Sequence, residues 1–255
     1  MHNGYMKFGI LTILLLCLSP MTYAKSACNT HQIKIAVIDS GLDLDDYRFK
    51  DHLCPTGHKD FTGEGLLDKN SHGTHIAGLI QLYAKNANYC LLIYKYYSSS
   101  VPGIVNLQHE VAAMEKAIKD GADIVNFSGG GAEFNEEEAR TINYNPKVIF
   151  VVAAGNKSED LDISGNEYYP ASLFYSNMKV VGSIDKKGNR SWYSNYSKNI
   201  KDKELGENVV SYIPGNKVGT LSGTSQATAI VTGKLVDKLS NSCQYRWNDG
   251  NSNRL

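Results

Sequence analysis

The stretch Gly219-Thr220-Leu221-Ser222-Gly223-Thr224-Ser225 is a Gly- and Ser-rich loop. It leads into Ala227-Thr228-Ala229-Ile230-Val231-Thr232-Gly233-Lys234-Leu235-Val236, whose apolar spacing suits a buried helix. Ser225 therefore stands at a helix N-terminus, where unpaired N–H groups and the helix dipole favour a forming alkoxide or oxyanion. Small neighbours let a substrate backbone approach closely. A serine hydroxyl is a weak nucleophile by itself and needs a base. Without one, the segment is a helix capped by Thr224 or Ser225 and nothing more.

Three other residues supply the missing chemistry. Asp39 ends the run Ile33-Lys34-Ile35-Ala36-Val37-Ile38, which reads as a buried parallel strand stopped by a carboxylate and Gly41. Residues at the carboxyl ends of such strands line the ligand crevice of open α/β sheets, although a turn residue after a strand is the plain alternative for Asp39. His72 opens Ser71-His72-Gly73-Thr74-His75-Ile76-Ala77-Gly78-Leu79-Ile80, a loop entering a helix with a Gly/Ala face suited to close packing. His72 is the candidate acid/base. His75 reads as a packed, hydrogen-bonded histidine, and a metal pair with His72 lacks any further ligand cluster. Asn156 follows Ala153-Ala154-Gly155 at the end of another strand and offers an amide donor.

The elements that position these residues alternate along the chain. Strands are expected over 33–38, 88–97, 122–127 and 148–154, with shorter ones over 180–184 and 208–213. Helices are expected over 71–85, 105–120, 133–143 and 227–236. In the helix over 105–120, Leu107, Val111, Met114 and Ile118 recur every three or four residues, and Gly121 stops it. The pattern gives an α/β fold: three layers, a mostly parallel β-sheet with helices on both faces. The excursion over 47–70 is polar, and Asp43, Asp45 and Asp46 read as a solvated acidic loop without the spacing of a calcium-binding hand. Ser128-Gly129-Gly130-Gly131 lacks the Lys-Ser/Thr of a phosphate loop, which leaves an exposed backbone edge.

Composition narrows the function. Residues 1–24 read as a signal peptide: Lys7, an apolar core from Phe8 to Leu18, and Thr22-Tyr23-Ala24 as cleavage site. The apolar run is short for a membrane span, so no stable membrane insertion is expected once it is removed. Residues 25–255 form one domain, and the destination is secreted or periplasmic. Removal of the leader leaves 25 basic against 26 acidic side chains, which argues against nucleic acid or an anionic membrane as partner. Cys28, Cys54, Cys90 and Cys243 suggest two disulfides, with three pairings open. No metal or cofactor is implied.

The order Asp39, His72, Ser225 is that of a subtilisin triad. From about Ile33 to about Leu239 the chain resembles the subtilisin-like serine peptidases (subtilases). The resemblance is carried by Asp39-Ser40-Gly41, Ser71-His72-Gly73-Thr74-His75-Ile76-Ala77-Gly78, Ala153-Ala154-Gly155-Asn156 and Gly223-Thr224-Ser225. Weaker echoes are Ile124-Val125-Asn126-Phe127-Ser128, Tyr169-Pro170-Ala171, Val181-Gly182-Ser183-Ile184-Asp185 and Ile213-Pro214-Gly215. It implies a serine endopeptidase acting on protein or peptide substrates. Ser225 would be nucleophile, His72 general base and then acid, and Asp39 the group that orients His72. Asn156 and the Ser225 N–H would form the oxyanion hole. Ser128, Gly129 and Gly130 would pair with an extended substrate. Together with Ala153, Ala154 and Gly155 they would wall an open primary pocket suited to large apolar side chains. The same resemblance implies a cis peptide bond at Tyr169-Pro170.

The chain also departs from the family pattern. Only residues 25–32 separate the leader from the first strand, so no propeptide domain is recognisable. Gln226-Ala227-Thr228-Ala229 stands where relatives have Met-Ala-Ser/Thr-Pro. The helix after His72 passes almost directly into the next strand, omitting a loop that holds calcium in many relatives. A catalytically silent relative that binds peptides or proteins is the alternative reading.

Overall fold

The computed structural model describes residue 1 and residues 31–242; the rest of the leader, Cys28 and Cys243 lie outside the described residues. Seven strands form one sheet: β1 (Ile33–Asp39), β2 (Lys59–Asp60), β3 (Tyr89–Lys95), β4 (Ile124–Phe127), β5 (Ile149–Ala153), β6 (Met178–Ile184) and β7 (Asp202–Leu205). Their spatial order is β2-β3-β1-β4-β5-β6-β7, and every neighbouring pair is parallel. Four helices accompany it: α1 (His72–Ala84), α2 (Gly103–Lys119), α3 (Glu136–Asn143) and α4 (Thr224–Ser240). A separate antiparallel hairpin joins β8 (Val209–Ile213) to β9 (Lys217–Leu221).

Side-chain alternation along the strands explains the three layers. Ile33, Ile35 and Val37 of β1 share one core with Ile76 and Ile80 of α1 and Ile230 and Val236 of α4. Ala36 and Ile38, one residue out of step, share the opposite core with Ala113, Met114 and Ala117 of α2 and Ile142 of α3. A strand buried on both faces has no polar side to show, which is why β1, β3 and β4 read as nearly unbroken apolar runs. Each large aliphatic side chain buried here is worth about 1.5–3 kcal/mol in transfer free energy.

Strand order reverses between β1 and β4: the chain builds outward to β3 on one side and to β5 and β6 on the other. Ligand crevices open at such a point, beyond the carboxyl ends of the strands. Asp39 ends β1 and Ser128 follows β4, so the crevice falls between two of the candidate residues.

Cys54 and Cys90 form a disulfide, with Cα atoms 4.9 Å apart. It ties the excursion after β1 to β3 across 36 residues of sequence. Closing a loop of that size is worth about 3–4 kcal/mol in a chain-entropy account. The acidic loop differs from its sequence reading. Asp43 and Asp46 are buried, and only Asp45 of the three is exposed. Asp43 accepts a 2.7 Å hydrogen bond from the Gly215 N–H, and Asp46 is paired with Arg48. These carboxylates pin the loop after β1 to the β8–β9 turn.

Candidate active site

Asp39 and His72 meet because α1 docks tightly on the loop after β1. A methyl carbon on Gly73 would lie 2.1 Å from the Gly41 carbonyl oxygen, so only glycine permits this approach. Ser71, just before the helix, has a left-handed backbone (φ 64°), a conformation that residues with a Cβ seldom adopt outside functional sites. Asp68, buried, fastens the assembly: it accepts from Ser40 Oγ at 2.8 Å, from the Thr74 N–H at 2.8 Å and from the Asn70 N–H at 2.9 Å. Ser40 Oγ in turn accepts from the Gly73 N–H at 3.0 Å.

His72 Nδ1 lies 2.8 Å from Asp39 Oδ1, which also accepts from the Ser40 N–H at 2.7 Å. A carboxylate acceptor places the imidazole proton on Nδ1 and leaves Nε2 with a free lone pair, the form a base needs. Burial disfavours the imidazolium, but the charge and hydrogen bond of Asp39, with Asp68 adding to them, outweigh it and raise His72 above the ordinary histidine value. His75, one turn on, behaves differently. It is fully buried, Nε2 donates to the Val209 carbonyl at 3.1 Å, and burial pushes its pKa down. It is a neutral histidine holding α1 to β8, as its spacing suggested.

Ser225 lies in the first turn of α4 and is buried. Its Oγ donates to the Ser128 carbonyl at 2.9 Å, and Ser128 Oγ donates to the Ser225 carbonyl at 3.3 Å. Behind this pair, Thr232 Oγ1 donates to Asn126 Oδ1 at 2.8 Å, and Asn126 Nδ2 donates to Ser128 Oγ at 3.2 Å. The end of β4 and the start of α4 are thereby locked in register.

Asn156 is oriented by Thr224, a residue legible beforehand only as a candidate helix cap. Asn156 Oδ1 accepts from the Thr224 N–H at 2.9 Å and from Thr224 Oγ1 at 3.0 Å, while Thr224 Oγ1 accepts from the Gly155 N–H at 3.1 Å. With its oxygen engaged, the amide turns Nδ2 the other way. A methyl carbon on Gly223 would lie 3.3 Å from Asn156 Nδ2, 3.7 Å from the Ser225 backbone N and 3.0 Å from Gln226 Oε1. One small volume is therefore bordered by an amide donor and by a first-turn N–H that has no carbonyl partner within its helix. A carbonyl oxygen gaining charge in that volume would be stabilised.

The segments expected to wall a primary pocket face one residue, Tyr168. Gly129 and Gly130 extend from β4, and Ala153, Ala154 and Gly155 end and follow β5. The Tyr168 ring stands between them: Cε1 would lie 2.6 Å from a methyl carbon on Gly130 and 3.1 Å from one on Gly155. An aromatic side chain from the loop before Pro170 thus packs against both segments expected to wall the primary pocket. The Tyr169-Pro170 peptide bond is cis, as expected. Among the described residues, no group of three or more His, Cys, Asp or Glu side chains is arranged to hold a metal ion.

Comparison with known proteins places the chain in a family. Residues 30–249 match the Subtilase family. The major intracellular serine protease of Bacillus subtilis (strain 168) is 31% identical over 232 residues, covering 85% of this chain and 71% of that protein. An intracellular serine protease of Paenibacillus polymyxa is 30% identical over 217 residues, covering 80% of this chain and 65% of that protein. Among solved structures, a lanthipeptide protease superposes with a TM-score of 0.72 at 25% identity, covering 82% of this chain and 73% of that one. Sheet order, paired carboxylate and imidazole, helix-borne serine and family match converge, and the chain belongs to the subtilase family of subtilisin-like serine endopeptidases.

Proposed function

We propose that this protein is an exported serine endopeptidase that cleaves peptide bonds through an acyl-enzyme on Ser225. The observation that carries this reading is the 2.8 Å contact between His72 Nδ1 and Asp39 Oδ1, which leaves Nε2 as the free basic nitrogen. For attack, Ser225 Oγ has to leave the Ser128 carbonyl that it donates to at 2.9 Å and give its proton to His72 Nε2. Nε2 takes the hydroxyl proton as Oγ attacks the scissile carbonyl. The carbonyl oxygen becomes an oxyanion received by Asn156 Nδ2 and the Ser225 N–H. His72, now an imidazolium held by Asp39, gives its proton to the leaving amine as the C–N bond breaks. A water molecule, activated by the same nitrogen, then releases the acyl group from Ser225.

Ser128, Gly129 and Gly130 offer the extended backbone edge along which a substrate strand lies. Ala153, Ala154 and Gly155 form the facing wall. Residues 25–255 make up the single peptidase domain in this reading. Two features support export: the charged, apolar and small-residue pattern of residues 1–24, and the Cys54–Cys90 disulfide, a bond typical of oxidising compartments. No helix among the described residues is long and apolar enough to cross a membrane.

One observation favours a second reading, a silent relative that binds peptides. The Ser225 hydroxyl is hydrogen-bonded to the Ser128 carbonyl and not to His72. Labelling with an active-site fluorophosphonate separates the two. We expect the folded, oxidised protein to label and Ser225→Ala to stay unlabelled. A folded parent that fails to label leaves the binding protein as the surviving reading.

A further inference from the structure

Tyr168 stands where a protease of this design would accept the side chain on the acyl side of the scissile bond. A substrate strand paired with Ser128, Gly129 and Gly130, its carbonyl over Ser225, directs that side chain between Gly130 and Gly155. One ring carbon, Cε1, comes within ordinary contact distance of both walls, as the 2.6 Å and 3.1 Å approaches to their hypothetical methyl carbons show. The glycines at 130 and 155 therefore make room for the ring and not for substrate.

The backbone that carries the ring is anchored, and so is the opposite wall. The Tyr168 N–H donates to Ser172 Oγ at 3.0 Å, and the Ser172 N–H donates to the Tyr168 carbonyl at 2.8 Å. The next residue exchanges two backbone hydrogen bonds with Gly131, at 2.7 and 2.9 Å, which anchors the segment to the wall itself. On the opposite wall, Asn195 Nδ2 donates to the Ala154 carbonyl at 2.9 Å, and its Oδ1 accepts from the Lys157 and Glu159 N–H groups. The side chain is half-buried, so part of it still faces solvent. Burial pushes its phenol up to about 12, with the carboxyls of Glu110 and Glu138 adding to the shift. Swinging the ring out would expose its buried apolar surface to water.

Resting on the proposed catalytic reading, we infer that Tyr168 plugs the primary pocket and limits the residue on the acyl side of the cleaved bond to glycine, alanine or serine. A long side chain would meet the ring edge and lift the scissile carbonyl away from Asn156 Nδ2 and the Ser225 N–H. Such misplacement lowers kcat as well as raising KM.

The test is a set of fluorogenic peptides differing only at that position, measured with the parent, Tyr168→Phe and Tyr168→Ala, beside fluorophosphonate labelling of each. We expect the parent to favour alanine over phenylalanine or leucine by about 10²-fold in kcat/KM. Tyr168→Phe should keep that order, because the ring and not the hydroxyl does the excluding. Tyr168→Ala should raise cleavage after phenylalanine and leucine and erase or invert the preference. A parent that labels yet prefers phenylalanine or leucine overturns the inference. So does one that prefers lysine or arginine, since that would mean the ring moves aside and the Glu110–Glu138 carboxyls receive the cation. A folded parent that does not label removes the catalytic reading itself. Should Tyr168→Ala not fold, the profiles of the parent and Tyr168→Phe still decide.

Discussion

Thr224 donates both its backbone N–H and its hydroxyl to the same atom, Asn156 Oδ1, at 2.9 and 3.0 Å. An amide has one oxygen and one nitrogen, so engaging the oxygen twice dictates that Nδ2 faces the volume beside the Ser225 N–H. Thr224 is thus a positioning residue. Thr224→Val keeps the shape of the side chain and removes the hydroxyl donor. We expect kcat to fall about 10-fold with KM little changed, because the oxyanion forms only on the way to the intermediate. Asn156→Ala should cost about 10²–10³ in kcat, and the double variant no more than Asn156→Ala alone. Additive losses would show that Thr224 acts elsewhere.

Gly223 gives a second handle on the same volume. Its backbone is extended (φ 160°), a conformation that alanine also adopts, so substitution brings no conformational penalty. The new methyl carbon would instead stand 3.0 Å from Gln226 Oε1, the end of a side chain that has to shift slightly, 3.3 Å from Asn156 Nδ2 and 3.7 Å from the Ser225 N. Gly223→Ala should therefore leave the Tm within about 2 °C of the parent while lowering kcat/KM by at least about 10²-fold. Thermal denaturation beside steady-state kinetics checks both halves. Full activity in a folded Gly223→Ala would mean that the oxyanion lies somewhere else.

In the proposed mechanism the Asp39–His72 pair sets the pH range of activity. A base must be neutral, and His72 is raised above the ordinary 6.5 by Asp39 and Asp68 against the opposing effect of burial. The acid limb of the kcat/KM profile should accordingly turn above pH 6.5. Stability runs the opposite way: the contribution of the protonated His72 is complete below 6.5 and is lost as pH rises through the higher folded value. Asp39→Asn removes the charge and inverts the preferred tautomer. We expect its acid limb to move to lower pH and kcat to fall about 10⁴-fold. An unchanged limb would separate His72 from the titration that governs activity.

Much of this arrangement was legible in the residues. The apolar runs of β1, β3, β4 and β5 reveal a parallel sheet because burial on both faces leaves no alternation to interpret. Asp39, His72, Asn156 and Ser225 were visible as polar residues at strand ends and helix starts. The missed strands have physical reasons. Edge strand β7 is Asp-Lys-Glu-Leu, with Lys203 exposed and Asp202 and Glu204 paired with Lys179 and Lys234, and β9 carries Gly219, which reads as loop. Asp43 and Asp46 looked solvated because a run of acids says nothing of Gly215, which lies 172 residues away and supplies a hydrogen bond. Small residues at 129, 130, 153, 154 and 155 announced room between two walls, but only tertiary structure shows that Tyr168 takes it. Small walls alone do not distinguish a pocket for substrate from a socket for the protein's own side chain.

Beyond Tyr168, Glu110 of α2 and Glu138 of α3 are buried together, and Oε1 of each lacks a hydrogen-bond partner within the structure. Burial pushes both carboxyls up, and the charge of Glu138 adds to the shift at Glu110, so the two do not ionise together near their ordinary values. A carboxyl that holds its proton more tightly when folded weakens the fold as pH rises from the ordinary 4.5 through the raised value, since the unfolded chain releases that proton first. Glu138→Gln keeps the size and hydrogen-bonding capacity of the side chain and removes the charge. Its Tm should exceed that of the parent by a few degrees in mildly alkaline buffer, and the difference should shrink as pH approaches 4.5. Parallel Tm-versus-pH curves for the two proteins would show that the pair carries no such penalty. If the curves converge as expected, the charge-free Glu138→Gln also separates the acid pair from specificity: a cleft plugged by Tyr168 should keep its preference for small residues in that variant.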